Sequence, residues 1–582
     1  MTDRTVSKAT AEWGSDVVAE TLRDLGLRYV ALNPGASFRG IHDSLVNFTR
    51  GDPEIMLCVH EEAAVAIAHG WAKVTGEPMA VALHSNVGLM HGSMGLFNAY
   101  CDRVPMVVIG ATGPLDAANR RPWIEWIHTS QDQGGIVRDF IKWDDQPAGI
   151  AATRDALIQG TAIAATAPCG PVYINIDVEI QEKLLDAPLP PAEYTRYGSP
   201  ATGAPLERLV GDAVNLIESA GNIVVMFGRM SRKVDDWQRR IDLVERIGAS
   251  VVTDFKTGAV FPSDHTANAG HAGYFIDEDA KEAIATADLI LNFDWLDFGG
   301  TLRSVLGAAP VPGRIVSASL DVLAHRGWSK DGGAPYPADV FFLNEPDQVV
   351  ASLARALDAK PAKPALQPSP PTEPVDNETM TPQDVAMVLR SMLANIPNCL
   401  VRAPLSWTGA DWPVNHPLAA LGYDGGGGVG SGCGMAIGSA LALRDRGDEL
   451  LPVAVLGDGD FLMNPSALWT GVNRGIPLLL VVLNNRSFYN DEVHQETIAR
   501  RRSRPADNKT VGIVLEEPNI DVSSVARGFG AWSPGPVGSA SAMRAAISEA
   551  LDIVRSGGIA VVDVETAKGY APSMASALRK VS

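Results

Sequence analysis

Along most of its length this chain alternates short, uninterrupted aliphatic runs with longer stretches of helical periodicity. No other feature constrains its fold as strongly. The first third contains YVALN (Tyr29 to Asn33), MAVAL (Met79 to Leu83), PMVVIG (Pro105 to Gly110) and PVYINID (Pro171 to Asp177). The middle contains NIVVMFG from Asn222, ASVVTD from Ala249, ADLILNFD from Ala287 and GRIVSASLD from Gly313. The last third contains LLPVAVLGDGD from Leu450, PLLLVVLNN from Pro477 and GIAVVDVET from Gly558. A strand wetted on one face alternates apolar and polar residues, whereas these runs are apolar on both faces. Between them lie segments such as EEAAVAIAHGWAKVTG (Glu61 to Gly76), which read as helices. Buried strands separated by helices imply parallel sheets covered on both sides. The fold class expected is therefore α/β, with three doubly wound domains and mainly parallel sheets.

Two proline-rich stretches, Asp186 to Leu206 and Ala359 to Val375, lack hydrophobic periodicity and read as extended linkers. They divide the 582 residues into an N-terminal domain over 1–187, a middle Rossmann-like domain over 207–356 and a C-terminal domain over 376–582, with linkers at 188–206 and 357–375. A formal net charge of −20 opposes non-specific nucleic-acid binding, which needs a basic field. Five scattered cysteines with no C-x-x-C pair point to reduced thiols and away from zinc. The first residues, MTDRTVSKATAEWGSD, carry no apolar targeting core, and no apolar run reaches the roughly 20 residues of a membrane span. The expectation is a cytoplasmic protein acting on a small molecule, with no membrane or nucleic-acid partner.

In doubly wound sheets, ligands sit beyond the carboxyl ends of the strands. That places Asn33, His84, Gly457 to Asp460 and the pair Asn484-Asn485 at candidate ligand positions. If the strands before Asp458 and Asn485 are neighbours, a carboxylate and an amide carbonyl meet over one sheet edge. Both are hard oxygen donors, suited to Mg²⁺ or Ca²⁺, and Mg²⁺ usually completes its octahedron with water and phosphate oxygens. Gly457 and Gly459 let backbone N–H groups approach an anion closely. A metal-anchored diphosphate fits this set. The competing reading is an aspartate capping the next helix and asparagines forming a turn.

G-D-G followed by a double asparagine at this separation resembles the signature of the thiamine-diphosphate (ThDP) enzymes, the superfamily of acetolactate synthase, benzoylformate decarboxylase and pyruvate decarboxylase. The resemblance covers nearly the whole chain. It makes the first domain pyrimidine-binding and the last diphosphate-binding, and it implies Mg²⁺ held by Asp458, Asn485 and the backbone carbonyl of Ser487. GGGGVGSGCGMAIGSALAL resembles the segment that cradles the cofactor's pyrimidine, with Val429 in the place of a bulkier apolar wedge. The segment IMLCVHEEAAVAIAHGWAKVTGEP resembles the one carrying the glutamate that activates the cofactor. The match selects Glu61 over Glu62. A glutamate favoured by the helix dipole is the bland alternative at that position. The implied cofactor contacts are Asn33, Gly35, Glu61, Gly428, Val429, Gly457, Asp458, Gly459, Asp460, Asn485, Ser487 and Phe488.

NPGASFRGIHDSL and LHSNVGLMHGSMGLFNAY are closest in motif to benzoylformate decarboxylase. They place Ser37 and His84 on the substrate, with His84 a proton carrier. His128, in EWIHTSQDQ, is a further substrate candidate. That enzyme's second catalytic histidine has no partner in NFDWLDFGGTLR. Asp491 and Glu492 fall where pyruvate decarboxylase has a catalytic glutamate; the same stretch also reads as the solvated first turn of a helix. Arg500, Arg501, Arg502 and Arg504 fit either an anion or an exposed helix. The middle domain shows no complete G-x-G-x-x-G, so FAD is not expected there, although relatives bind FAD or ADP in that domain. The resemblance implies non-oxidative decarboxylation of a 2-oxo acid through an ylid and an enamine, or alternatively a ThDP-dependent carboligase or hydroxyacyl-CoA lyase. It also implies a homodimer or homotetramer with active sites between subunits. A family member that has lost catalysis is the third possibility.

Overall fold

In a computed structural model, the structure describes residues 10–321, 336–357, 379–570 and 574–575. The second expected linker lies outside the described residues apart from Leu357. The aliphatic runs form three wholly parallel sheets. The first is built from β1 (Tyr29–Leu32), β2 (Glu54–Leu57), β3 (Met79–Leu83), β4 (Met106–Thr112), β5 (Trp143–Asp145) and β6 (Pro171–Asp177), in the order β2-β1-β3-β4-β6-β5. The second contains β7 (Ile223–Phe227), β8 (Ser250–Thr253), β9 (Leu289–Phe293), β10 (Arg314–Ala318) and β11 (Val340–Phe342), ordered β11-β10-β9-β7-β8. The third contains β12 (Asn398–Arg402), β13 (Leu451–Gly457), β14 (Leu478–Asn484) and β15 (Ile559–Glu565) in sequential order. Strands β1, β3, β4, β6, β7, β9 and β14 are buried at every position, as continuous apolar runs demand.

Strand order reverses between β1 and β3, so Asn33 and His84 emerge on either side of a switch point, the usual position for a ligand crevice in such sheets. The chain separates into two compact units. One comprises Met1–Ala201, Asp424–Ala442 and Ser466–Arg474; the other comprises Thr202–Tyr423, Leu443–Pro465 and Gly475–Ser582. The first unit takes in the two later segments through close backbone contacts. A Cβ on Gly70 would lie 2.1 Å from the Met435 carbonyl oxygen, and one on Gly438 would lie 1.9 Å from that of Ile67. The helix Glu61–Thr75 and the helix beginning at Gly432 therefore meet backbone to backbone. Thr470 Oγ1 also donates to the Leu57 carbonyl at 2.9 Å.

Candidate active site

The acidic turn and the asparagine pair converge because β13 and β14 are adjacent and in register, with Gly457 opposite Leu483. Asp458 opens the helix Asp458–Met463 and is buried. Its Oδ1 accepts the Gly459 N–H at 2.9 Å. Burial pushes the Asp458 carboxyl up to about 6, even though the backbone N–H groups of Gly459, Arg486 and Ser487 favour its charge. Oδ2 is buried with no hydrogen-bond partner. A buried carboxylate oxygen without a partner is costly, and a divalent cation would supply the missing counter-charge. Asn485 and Asn484 part company. Asn485 Oδ1 accepts the Ser487 N–H at 2.9 Å and so shapes the turn beside Asp458. Asn484 is turned inward and donates to Asp563 Oδ1 at 3.0 Å. The donor set of Asp458, Asn485 and the carbonyl at Ser487 is all hard oxygen and fits Mg²⁺. A Cβ on Gly459 would stand 2.6 Å from the Phe488 ring, so a side chain there would have to displace that ring. Asp460 is bound at 3.1 Å to the fully buried Arg402, whose guanidinium lies 3.5 Å from the Tyr423 ring centroid.

At the carboxyl end of the N-terminal sheet, Glu61 is the first residue of its helix and is only 7% exposed. The His60 ring caps the helix, Nδ1 accepting the Glu62 N–H at 3.1 Å. Glu61 Oε2 lies 3.1 Å from His91 Nδ1, and the His60 and His91 rings stack at 5.1 Å. Gly88 leaves room for the carboxylate: a Cβ there would be 3.2 Å from Oε1. β1 ends one residue before Asn33, which is thereby free to donate to the Cys58 carbonyl at 3.1 Å. Gly35 lies hard against His84, its hypothetical Cβ 2.4 Å from that ring.

Ser37, His84 and His128 come together. His84 Nδ1 is 2.8 Å from Ser37 Oγ, and the His84 and His128 rings meet edge to face at 4.8 Å. Ser85 ties the group together, its N–H donating to Ser37 Oγ and its hydroxyl to the His128 carbonyl. Burial and then the neighbouring His128 lower the His84 pKa, which favours the neutral ring. Gly428 and Val429 sit on a loop clamped by buried Asn98. Asn98 Nδ2 donates to the Gly428 carbonyl at 3.1 Å, and its Oδ1 accepts the Gly428 N–H at 3.2 Å. Val429 is 36% exposed.

The stretch after Asn485 departs from a uniformly solvated helical turn. Glu492 is buried and hydrogen-bonded to the Ser487 hydroxyl and the Lys568 ammonium. Asp491 is exposed. Arg500 pairs with Glu496. In the middle sheet, Arg229 spans the switch point after β7, bound to Asp294 and Asp321 at 3.0 Å each. Sequence reasoning missed His60, His91, Asn98 and Lys568. His91 had a signal: His84, Gly88 and His91 recur at helical spacing and so share one face. Lys568 had none, since only the fold brings it to Glu492.

Three family descriptions match this chain. The N-terminal TPP binding domain of the thiamine pyrophosphate enzymes covers residues 12–136, their central domain 210–305, and their C-terminal TPP binding domain 405–564. Acetolactate synthase 1 of Nicotiana tabacum is 26% identical over 81% of this chain and 70% of its own length. The acetolactate synthase large subunit of Lactococcus lactis is 24% identical over 89% of this chain and 87% of its own. Among solved structures, benzoylformate decarboxylase of Polynucleobacter necessarius superimposes with a TM-score of 0.78 at 20% identity, covering 97% of this chain and 100% of that one. The 4-hydroxybenzoylformate decarboxylase of Rhodococcus jostii RHA1 does so with 0.77 at 22%, covering 96% and 100%.

Proposed function

The chain belongs to the thiamine-diphosphate-dependent enzymes, and from that premise we propose that it catalyses Mg²⁺-dependent, non-oxidative decarboxylation of a 2-oxo acid. The observation that carries this reading is the Ser37–His84–His128 group, two imidazoles and a hydroxyl gathered beside the switch point of the N-terminal sheet. Asp458, Asn485 and the Ser487 carbonyl would hold Mg²⁺, and Glu61 would hold the aminopyrimidine. When bound, the cofactor supplies an electron sink for the pair released as the carboxylate leaves.

This chain's residues then bind and move protons. His84 commits Nδ1 to Ser37, which leaves Nε2 for the substrate. A neutral ring donates or accepts there without trapping the carboxylate in an ion pair. His128 contributes the second imidazole. Glu492 is held by Lys568, so exposed Asp491 is the carboxylate available to substrate beyond Asn485. We read the domains as 1–187, 207–356 and 376–582, and the assembly as a homodimer or homotetramer pairing Glu61 with Asp458 of the partner subunit.

A second reading, C–C bond formation between two carbonyl compounds, is favoured by the acetolactate synthases among the relatives. A panel of aliphatic and aromatic 2-oxo acids with ThDP and Mg²⁺ separates the two. CO₂ and an aldehyde in equal amounts support decarboxylation. A mixed hydroxyketone with little aldehyde supports ligation, and no CO₂ from any acid removes the first reading.

A further inference from the structure

We propose that His91 is a positioning and relay residue for Glu61, carrying protons between that buried carboxylate and solvent. The proposal rests on reading Glu61 as the cofactor-activating group. Glu61 has a side chain 9% exposed, while that of His91, its hydrogen-bond partner, is 58% exposed. An ionised carboxylate only accepts hydrogen bonds, so the 3.1 Å contact is made by a proton on His91 Nδ1. The basic nitrogen of the neutral ring is then Nε2, on a largely wetted side chain.

The neighbours fix this arrangement. His60 spends Nδ1 on the Glu62 N–H and so keeps its own proton on Nε2. Its ring, anchored by that cap, stacks on His91 at 5.1 Å with the planes 19° apart, which holds His91 at the carboxylate. On the other side a Cβ at Gly88 would stand 3.2 Å from Glu61 Oε1, so the glycine spares that oxygen a side-chain contact. One oxygen is thus held by the imidazole while the other remains for the cofactor. The donor atoms of His60, Glu61 and His91 lie within 4.8 Å of one another, a spacing a transition metal could use. His60, however, offers a metal only the nitrogen that caps the helix or the one that carries its proton.

The transfer balances without any further reactant. A solvent proton bonds to Nε2, and the Nδ1–H bond then breaks, delivering a proton to Glu61 Oε2. The ring is left neutral with its proton on Nε2, and the reverse sequence carries a proton outward. The Glu61 side chain itself is only 9% exposed, so the His91 imidazole is its route to solvent.

The test is exchange of the cofactor's reactive ring proton for deuterium, followed by quenched-flow NMR on protein loaded with ThDP and Mg²⁺. Cofactor affinity is measured in parallel by calorimetry. His91→Gln keeps a donor to Glu61 but cannot relay; affinity should stay within about threefold of wild type while exchange slows at least about tenfold. His91→Gly should slow exchange similarly and recover with added imidazole, which a purely structural role would not allow. Should His91→Gly melt early, His91→Gln decides alone. Wild-type exchange in His91→Gln overturns the relay. Glu61→Gln separates the two ideas. Slow exchange there with wild-type exchange in His91→Gln removes only the relay. Wild-type exchange in Glu61→Gln removes the reading of Glu61, and the relay with it.

Discussion

Replacing Asp458 by asparagine should make the metal-free protein more stable at neutral pH, while removing its response to metal and cofactor. Burial raises this carboxyl from the usual 3.8 to about 6. A raised carboxyl favours the protonated form in the folded state. Below pH 3.8 both folded and unfolded chains hold the proton, and the group costs nothing. As pH rises from 3.8 to about 6 the unfolded chain ionises first and the folded state loses ground; above about 6 the whole penalty is present. At about 1.4 kcal/mol per pH unit the ceiling is about 3 kcal/mol. Part of it will not be recovered, because an amide can turn only one oxygen towards the Gly459, Arg486 and Ser487 N–H groups; a gain of about 1–3 kcal/mol is expected. Thermal melts of wild type and Asp458→Asn, both stripped with chelator, give the comparison at pH 7.5 and pH 4.5. Asp458→Asn should melt a few degrees higher at pH 7.5, with the gap closing as pH falls through about 6. Adding Mg²⁺ and ThDP should raise the wild-type midpoint alone. A lower midpoint for metal-free Asp458→Asn at pH 7.5, or an equal rise in both proteins on adding Mg²⁺ and ThDP, would refute the reasoning.

Three further outcomes follow from the site. Glu61→Gln keeps the side chain's volume but not its charge. It should bind ThDP within several-fold of wild type by calorimetry while turnover falls at least about a hundredfold. Gly459→Ala must push aside the Phe488 ring, whose nearest atom would be 2.6 Å away. It should cost about 1 kcal/mol in denaturant unfolding and weaken cofactor binding at least about tenfold. His128→Asn removes one of the two causes that lower His84, leaving burial as the larger. His84 is protonated below its pKa, so the acid limb of the kcat/KM profile should move to higher pH while staying below the usual histidine value. A limb that stays put or moves to lower pH contradicts the coupling.

The parallel sheets were legible because strands buried on both faces leave an unmistakable record in sequence. Four strands were not. β2, β5 and β11 carry three or four residues each and include exposed or half-exposed positions, and β12 is a brief run that no periodicity distinguishes from loop. The convergence of Asp458 and Asn485 was legible because they follow the ends of two neighbouring strands. What sequence could not distinguish was the asparagine pair itself. Asn484 faces Asp563 and Asn485 faces the turn, a division set by strand pleat. Glu492 read either as a catalytic carboxylate or as part of a solvated helical turn, because its partner Lys568 lies far along the chain. His91 stayed hidden because its role depends on one helix start meeting the next helix.

The seam at Gly70 and Gly438 has a consequence for how such a sequence can drift. Most core positions accept new residues when a neighbour shrinks as another grows, because volume can be traded between side chains. Here the opposing atoms are carbonyl oxygens at 2.1 and 1.9 Å from where a Cβ would stand, and backbone has nothing to trade. No second mutation at one position compensates for an alanine at the other. The helix that presents Glu61 is therefore fixed more firmly than the loop carrying His128 or the start of the helix carrying Asp491. New substrates can be accommodated by revising those outer residues while the seam behind the glutamate stays as it is.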